Sequence, residues 1–150
     1  GLVIRTNLII GFPHETRKNV FATLKYGFYL AWKGVDEVSI NIFSPYPGTE
    51  IFNELLQKKK IKLEDDYFFG ITSLNSDYTV TNPLTYDSTM SSRELAGYRI
   101  SFLLMDYILG YLRYPSRILR TLKNVFTTSG DAATVFEHRL KDLFKQKHFN

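Results

Sequence analysis

The spacing of hydrophobic residues in the first 60 positions changes back and forth between the period of a strand and the period of a helix. Leu2–Ile10 is apolar and rich in β-branched residues, and a short alternating strand is predicted over Val38–Ile42. Apolar residues recur at helical spacing between these strands, from Thr16 to Gly34, and again over Glu50–Lys60. The order strand, helix, strand, helix is typical of a parallel sheet whose strands are joined by crossover helices.

The remaining residues lose this alternation and give three helical patterns after an irregular stretch. Residues 62–90 mix aromatic with polar side chains, and one short strand is predicted there at Tyr78–Thr81. The helical spacings predict helices at Arg93–Leu112, Pro115–Phe126 and Ala132–Lys147. We therefore expect an α/β unit over residues 1–60, followed by an irregular connection and an all-helical extension over residues 61–150.

The composition excludes several kinds of site within this chain. None of its 150 residues is Cys, so it forms no disulfide and supplies no thiolate to zinc or to an iron–sulfur cluster. Aromatic residues make up 15% of the chain, which is typical of a folded protein rather than a disordered one. The net charge of +4 lies entirely in residues 57–150, and so small an excess does not favour nucleic acid as a partner.

The sequence contains no predicted membrane span. Its longest apolar run, Ile100–Leu112, is too short to cross a bilayer and is interrupted by Asp106. The first residues also lack the basic and apolar regions of a signal peptide, so we expect a cytoplasmic protein.

No catalytic or metal-binding constellation is visible in the residue pattern. The three histidines show no metal-ligand spacing, and no Ser-His-Asp order is present. The glycines that bind phosphate in a nucleotide-binding half-domain of Rossmann type are also missing, which disfavours that fold.

Two loops that follow the predicted strands are the candidate sites for a ligand. The first runs from Gly11 to Thr16 and the second from Ser44 to Thr49. In α/β sheets and barrels, ligands bind at the loops that follow the carboxyl ends of the strands. Backbone N–H groups at the starts of the following helices can bind a carboxylate or a ribose oxygen. The alternative is that both loops are ordinary turns, which need Gly, Pro and Thr in any case.

The helix predicted after Pro115 is amphipathic and basic. Its cationic face carries Arg113, Arg117, Arg120 and Lys123. One interpretation is docking on an anionic membrane surface or on a nucleic acid, and the other is a surface helix whose apolar stripe packs on the rest of the fold.

The two loops and their flanking residues resemble one enzyme family. NLIIGFPHET at 7–16 and INIFSPYPGTEIFNELL at 40–56 are similar to the last two strand–helix units of a radical S-adenosylmethionine (SAM) barrel, in the group that carries an N-terminal cobalamin-binding domain. In that group the loops usually contain GFPGET and P-x-PGT, and His14 stands here at the usual Gly. YLRYPSRILRTLKNVF at 111–126 resembles the Arg-Pro helix pair that follows the barrel, with Tyr114 inserted.

This resemblance implies which residues bind the cofactor. The first strand and its loop would contact the adenosine or methionyl part of SAM, and the second loop would close the pocket. Asn41 would point into the barrel if its apolar neighbours face the helices; the alternative is a satisfied interior amide. The expected cofactor-binding residues are Asn7, Ile9, Gly11, Phe12, Pro13, Asn41, Pro45, Pro47 and Gly48.

The resemblance also implies a reaction that this chain cannot perform alone. Family members hold a 4Fe-4S cluster through a C-x-x-x-C-x-x-C motif, and the cluster cleaves SAM to start radical chemistry. Because this chain has no Cys, the cluster ligands are expected upstream of Gly1 in a longer enzyme. Its substrate would be a small molecule such as a lipid or a tetrapyrrole, modified by methyl transfer or a related step, with cobalamin as a second cofactor. The alternative function is a non-catalytic α/β domain whose basic helix binds a membrane or a partner.

Overall fold

The computed structural model of the chain describes residues 2–73, 85, 86, 89–126, 134 and 137. Within these residues the chain forms two strands and five helices, so the fold class is mixed α/β, as predicted. In chain order the elements are β1 (Arg5–Ile10), α1 (Arg17–Lys33), β2 (Glu37–Ile42), α2 (Glu50–Gln57), α3 (Asp65–Ser73), α4 (Ser92–Arg113) and α5 (Ser116–Phe126).

The two strands pair in parallel, and α1 is the crossover helix that joins them. Pairing runs in register from Arg5 opposite Glu37 to Ile10 opposite Ile42. The apolar side chains at even-numbered positions of both strands pack in one core with α1 and α4. Side chains alternate along a strand, so the odd-numbered positions lie on the opposite face. The predicted parallel pairing is confirmed, whereas two strands do not establish a partial barrel, which stays a prediction.

Local sequence signals place the ends of the main helices. The hydroxyl oxygens of Thr16, Thr49 and Ser91 each accept a hydrogen bond from the backbone N–H three residues later. Gly34 ends α1 in the left-handed conformation, with a φ of +105°. The first helix was predicted between Thr16 and Gly34, and the structure confirms these two residues as its caps.

Two boundaries of the predicted elements differ from the structure by three residues, and the other described boundaries differ by at most one. β1 begins at Arg5 rather than at Leu2, so the pairing starts three residues later than expected. α2 ends at Gln57 rather than at Lys60, and Lys59 has a φ of +54°, which no α-helix accommodates.

A helix that the sequence pattern did not predict, α3, lies in the expected irregular connection. Tyr67 of α3 is buried, and its ring centroid lies 6.1 Å from that of Phe52 on α2. Because so short a helix is marginal by itself, we attribute it to this packing rather than to its own periodicity. The strand predicted at Tyr78–Thr81 lies outside the described residues, and so does the helix predicted at Ala132–Lys147 apart from residues 134 and 137.

The helix α5 is amphipathic as predicted, but two cations of its basic side, Arg117 and Arg120, face the protein. Arg117 and Arg120 both contact the carboxylate of Asp36, at 3.5 and 2.9 Å, whereas Leu119 is 72% exposed. The interpretation in which the apolar stripe of α5 packs on the fold is therefore wrong. The ion pairs with Asp36 turn Arg117 and Arg120 toward the protein and leave the apolar stripe exposed. Membrane contact through Arg113, Arg117, Arg120 and Lys123 stays a prediction.

None of the helices in the described part of the chain combines the length and the apolar content that crossing a membrane requires.

The core between α1 and α4 is tightest at Gly27. Phe102 stacks on Phe28 with ring centroids 4.6 Å apart, and a Cβ atom added at Gly27 would lie 2.5 Å from Cζ of Phe102. We expect Gly27→Ala to lower the free energy of unfolding by about 1–2 kcal/mol, because the buried ring must shift. Urea unfolding followed by circular dichroism measures the change.

Gly97 of α4 provides the matched control for this substitution. A Cβ atom there would meet nothing within 4 Å. Gly97→Ala should raise the free energy of unfolding by about 0.5–1 kcal/mol through helix propensity alone. Equal effects at the two glycines would contradict the packing argument.

Candidate functional site

The face of the sheet opposite α1 and α4 is open in the described residues, and we call it the open face. In the register of the two strands, Asn7 lies opposite Ser39 and Ile9 lies opposite Asn41. Asn7 and Ile9 are exposed, and both β2 residues are half-buried. The open face therefore presents two amides and a hydroxyl beside one apolar side chain, a set that suits a ligand with both polar and apolar parts.

An ion pair lies at the amino-terminal end of the open face. Nε of Arg5 is 3.7 Å from Oε2 of Glu37, its partner in the strand register, and Glu37 is almost fully buried. The carboxyl ends of the strands, where ligands bind in α/β proteins, lie at the other end of this face.

The backbone of the first loop binds the carboxylate of Glu15, a residue of the same loop. The backbone N–H groups of Gly11 and Phe12 both donate to Oε2 of Glu15, at 2.6 and 3.2 Å. Gly11 has a φ of +84°, and a Cβ atom there would lie 2.9 Å from Leu95 on α4. The prediction of a bound ligand carboxylate or ribose concerned the N–H groups at the helix starts. The loop N–H groups of Gly11 and Phe12 cannot add to them, because both already donate to Glu15.

His14 takes a backbone conformation that favours glycine. Its φ is +70°, in the left-handed region that glycine enters without steric cost. The loop thus keeps the backbone shape of a glycine-containing turn, and the imidazole is exposed.

The second loop is held in place from α3. Pro45 is almost fully buried, and its carbonyl oxygen accepts a hydrogen bond of 2.6 Å from the hydroxyl of Tyr67. Burial raises the pKa of this Tyr67 hydroxyl, which favours the protonated form that donates the bond. Gly48 has a φ of +90° and open space around it, and Pro47 is exposed beside it.

The two loops meet where the strands end. The N–H of Phe43 donates to the carbonyl of Ile10 at 2.8 Å, which extends the sheet by one bond. The rings of Phe12 and Phe43 lie with their centroids 4.6 Å apart, tilted by 35°. This aromatic pair forms an apolar boundary between the polar open face and the loops.

The structure divides the predicted cofactor-binding residues into three groups. On the open face are Asn7, Ile9 and Asn41; in the first loop are Gly11, Phe12 and Pro13; in the second loop are Pro45, Pro47 and Gly48. Pro45 packs beneath α3 and Gly11 packs against α4, so these two shape the loops from inside. Ligand binding by any of the nine stays a prediction.

Three residues with evident roles in the loops were not predicted. Glu15 could have been found from the sequence, because an acid three or four residues after a glycine turn can reach back to its N–H groups. Phe43 and Tyr67 carried no local signal, since their roles depend on partners 22 or more residues distant along the chain.

No group of three or more His, Cys, Asp or Glu side chains in the described residues is arranged to hold a metal ion. What the open face and loops can do chemically is to bind and orient a ligand through amides, a hydroxyl and aromatic rings. No described side chain there forms a nucleophile–base pair.

The Glu15 contacts make a prediction about the first loop. Glu15→Ala should lower the free energy of unfolding by about 1–3 kcal/mol, because two backbone N–H groups lose a charged acceptor. Hydrogen exchange at the Gly11 and Phe12 amides should accelerate in the same variant. Glu15→Gln, which keeps an acceptor oxygen, should recover at least part of both effects; unchanged exchange in the alanine variant would contradict the assignment.

Comparison with known proteins relates the chain to a methyltransferase. It is 31% identical over 131 residues to an uncharacterized methyltransferase of Pyrococcus horikoshii, which covers 87% of this chain. The chain spans about a quarter of the length of that relative, 24%. No family profile matches the chain, and no solved structure matches it.

Proposed function

We propose that the chain forms one wall of the SAM-binding pocket of a longer methyltransferase. The observation that carries this proposal is the open face, where the amides of Asn7 and Asn41 lie on the same side of adjacent parallel strands, below the Phe12–Phe43 pair. Amides suit the polar edge of an adenine and the ribose hydroxyls, and an aromatic pair suits the face of the base. The similarity to a methyltransferase supports this choice among adenosine-containing ligands.

Each residue group has a distinct task in this proposal. The two amides donate and accept hydrogen bonds that fix the orientation of the nucleoside, and Ile9 between them supplies an apolar contact. The phenyl rings exclude water from the carboxyl end of the sheet. Glu15 and Tyr67 hold the two loops in shape and are positioning residues, because they bind loop backbone rather than the ligand.

We further propose that the parent enzyme is of the radical SAM type, with β1 and β2 as strands of its partial barrel. The group that would start the radical chemistry is a 4Fe-4S cluster, which cleaves SAM when both are bound. This chain cannot ligate the cluster because it has no Cys, so the ligands belong to another part of the longer protein. The open face and the two loops would bind SAM, and cobalamin would be held elsewhere.

A titration with SAM tests the binding proposal directly on the 150-residue chain. In a ¹⁵N-labelled sample, we expect SAM to shift the backbone amide resonances of β1, β2 and the loop around Phe12. Asn41→Ala should weaken this binding about tenfold, because one amide contributes on the order of 1–2 kcal/mol to a buried ligand.

Asn53 on α2 is the matched control, since it is an exposed amide outside the sheet. Asn53→Ala should leave the SAM titration unchanged. Shifts confined to the helices, or no shifts at millimolar SAM, would contradict the proposed pocket.

The radical assignment has a separate test in the longer protein. Its reading frame should encode a C-x-x-x-C-x-x-C motif upstream of Gly1, and the reconstituted protein should show the absorption of a 4Fe-4S cluster. A reading frame without that motif would leave SAM binding intact and rule out the radical type.

A further inference from the structure

The solvent side of α1 and α4 forms an extended apolar surface, which we call the α1–α4 face. It lies across the sheet from the open face. α1 contributes Phe21 and Trp32, and α4 contributes Met105, Ile108 and Leu112; each of the five is at least 45% exposed. On each helix these positions recur at helical spacing, so they form two parallel stripes.

The two helices run side by side along the whole face. Phe21 of α1 contacts Tyr98 of α4, with ring centroids 5.5 Å apart, and Trp32 lies 5.3 Å beneath the guanidinium of Arg113 at the other end. The distance from Phe21 to Trp32 along α1 corresponds to roughly 16 Å. The surface is therefore continuous over about three helical turns.

A shallow apolar groove opens between the two stripes. Its volume is about 340 Å³. Its lining includes Phe21, Lys25 and Phe28 of α1 and Tyr98, Phe102 and Met105 of α4. One cation, Lys25, stands at this otherwise uncharged groove. Side chains or acyl chains of a partner could enter here without displacing polar contacts of the fold.

The charges on the two helices are almost all positive. Residues 17–33 contain four basic residues and no acidic one; residues 92–113 contain three basic and two acidic residues. Of the two acids, Glu94 is paired with Arg17 at 2.6 Å and Asp106 is buried. Lys18, Lys25 and Lys33 are exposed on α1, and Arg93 and Arg113 are exposed on α4.

We propose that the α1–α4 face docks on an anionic lipid bilayer. Exposed aromatic and aliphatic side chains enter the boundary between headgroups and acyl chains, and flanking lysines and arginines bind the lipid phosphates. Trp32 with Arg113 above its ring is the combination expected at that boundary, since the ring is amphipathic and the cation binds the headgroup.

Charge complementarity favours a bilayer over a second copy of this chain. Two copies that met through this face would bring like-charged lysines together, and the face offers them no unpaired exposed acid among the described residues. A nucleic acid would use the cations but would leave the aliphatic stripe of α4 uncovered.

The basic side of α5, where the sequence suggested a membrane contact, is not part of the α1–α4 face. Arg117 and Arg120 are bound to Asp36 and to backbone carbonyls, so they are poorly placed to bind lipid phosphates. Arg113, at the end of α4, is the residue that both surfaces share.

Trp32 gives a direct readout, because it is the single tryptophan of the chain. The full chain is titrated with vesicles of phosphatidylcholine mixed with phosphatidylglycerol, and with vesicles of phosphatidylcholine alone. We expect a blue shift of tryptophan emission with the anionic vesicles only, reversed by high salt and quenched by brominated acyl chains.

Two variants on the face and one control on the same helix locate the contact. Lys25→Glu and Leu112→Ser should each weaken binding to anionic vesicles about tenfold. Tyr26 is 53% exposed, as Trp32 is, but lies on the other flank of α1. Tyr26→Ser should leave binding within about twofold of the parent chain.

Three results would overturn the proposal. One is an unshifted Trp32 emission with anionic vesicles while circular dichroism shows a folded chain. Another is a blue shift that depends on protein concentration without vesicles, which would identify a second copy as the occupant. The third is an equal loss of binding in Tyr26→Ser and Lys25→Glu. None of these results bears on SAM binding, which is measured on the opposite face of the sheet.

Discussion

Arg117→Met is expected to lower the free energy of unfolding by about 3–5 kcal/mol, the cost of breaking a buried charged network by removing one partner. Only 12% of the Arg117 side chain is exposed. Its Nη1 donates to the carbonyl of Val35 at 3.1 Å and its Nη2 donates to the carbonyl of Gly34 at 2.7 Å. Asp36 lies 3.5 Å from the same nitrogen, so one guanidinium binds the whole turn between α1 and β2.

The loss is large because the carbonyls of Gly34 and Val35 lose their charged donor and Asp36 loses one of its two cations. Burial alone would raise the pKa of Asp36, but the N–H of Ile4 and the guanidinium of Arg120 hold that pKa below its ordinary value. Since the folded pKa is depressed, this stabilisation is present above about pH 4 and is lost as the pH falls. The comparison should therefore be made near pH 7.

Lys123 on the same helix is the matched control for Arg117→Met. It is exposed, and Lys123→Met should change the free energy of unfolding by less than about 0.5 kcal/mol. Urea unfolding of both variants, followed by far-ultraviolet circular dichroism, gives the two values. A loss below about 1 kcal/mol in Arg117→Met would show that α5 is not held to the fold through this network.

The elements that the sequence predicted well are those specified by neighbouring residues. The alternation of Val38, Ile40 and Ile42, and the ends of the first helix at Thr16 and Gly34, depend on residues within a few positions of each other. Such signals survive in a single sequence, because the hydrogen bonds and the side-chain period they encode are local.

The elements that the sequence predicted poorly depend on partners that are far away along the chain. The inward orientation of α5 follows from Asp36, more than 80 residues earlier in the chain, and an amphipathic pattern does not show which of its sides is buried. The short helix α3 likewise packs on α2 through Tyr67, and its own sequence has no strong period.

The candidate site shows the same division. Both loops were located from the order of strands and breakers, because parallel strands bring their carboxyl ends to one edge. The contact of Phe12 with Phe43 and the hydrogen bond from Tyr67 to Pro45 could not be predicted from the sequence, because they join residues that only the fold brings together.

Asp106 is a buried acid whose protonation state couples the stability of the fold to pH. It lies on α4 with 4% of its surface exposed, and the N–H of Val38 donates to its Oδ2 at 3.4 Å. Its Oδ1 has no hydrogen-bond partner in the described residues. Burial first, and then the nearby charge of Glu37, raise the pKa of Asp106 to about 7, although the Val38 N–H and Arg117 act to lower it.

Asp106→Asn is therefore expected to stabilise the chain at pH 8 and to have little effect at pH 4. A folded pKa near 7, above the unfolded value near 4, means that the folded state binds more protons between these limits. As the pH rises from about 4 to about 7, Asp106 therefore lowers the free energy of unfolding by an increasing amount, up to about 4 kcal/mol. The amide cannot ionise, so the difference in free energy of unfolding between variant and parent should grow from pH 4 to pH 8. Asp66→Asn, at an exposed position of α3, is the control and should show no such dependence on pH. If the difference in free energy of unfolding between Asp106→Asn and the parent does not change with pH, the carboxyl of Asp106 ionises in the folded chain as it does in the unfolded one.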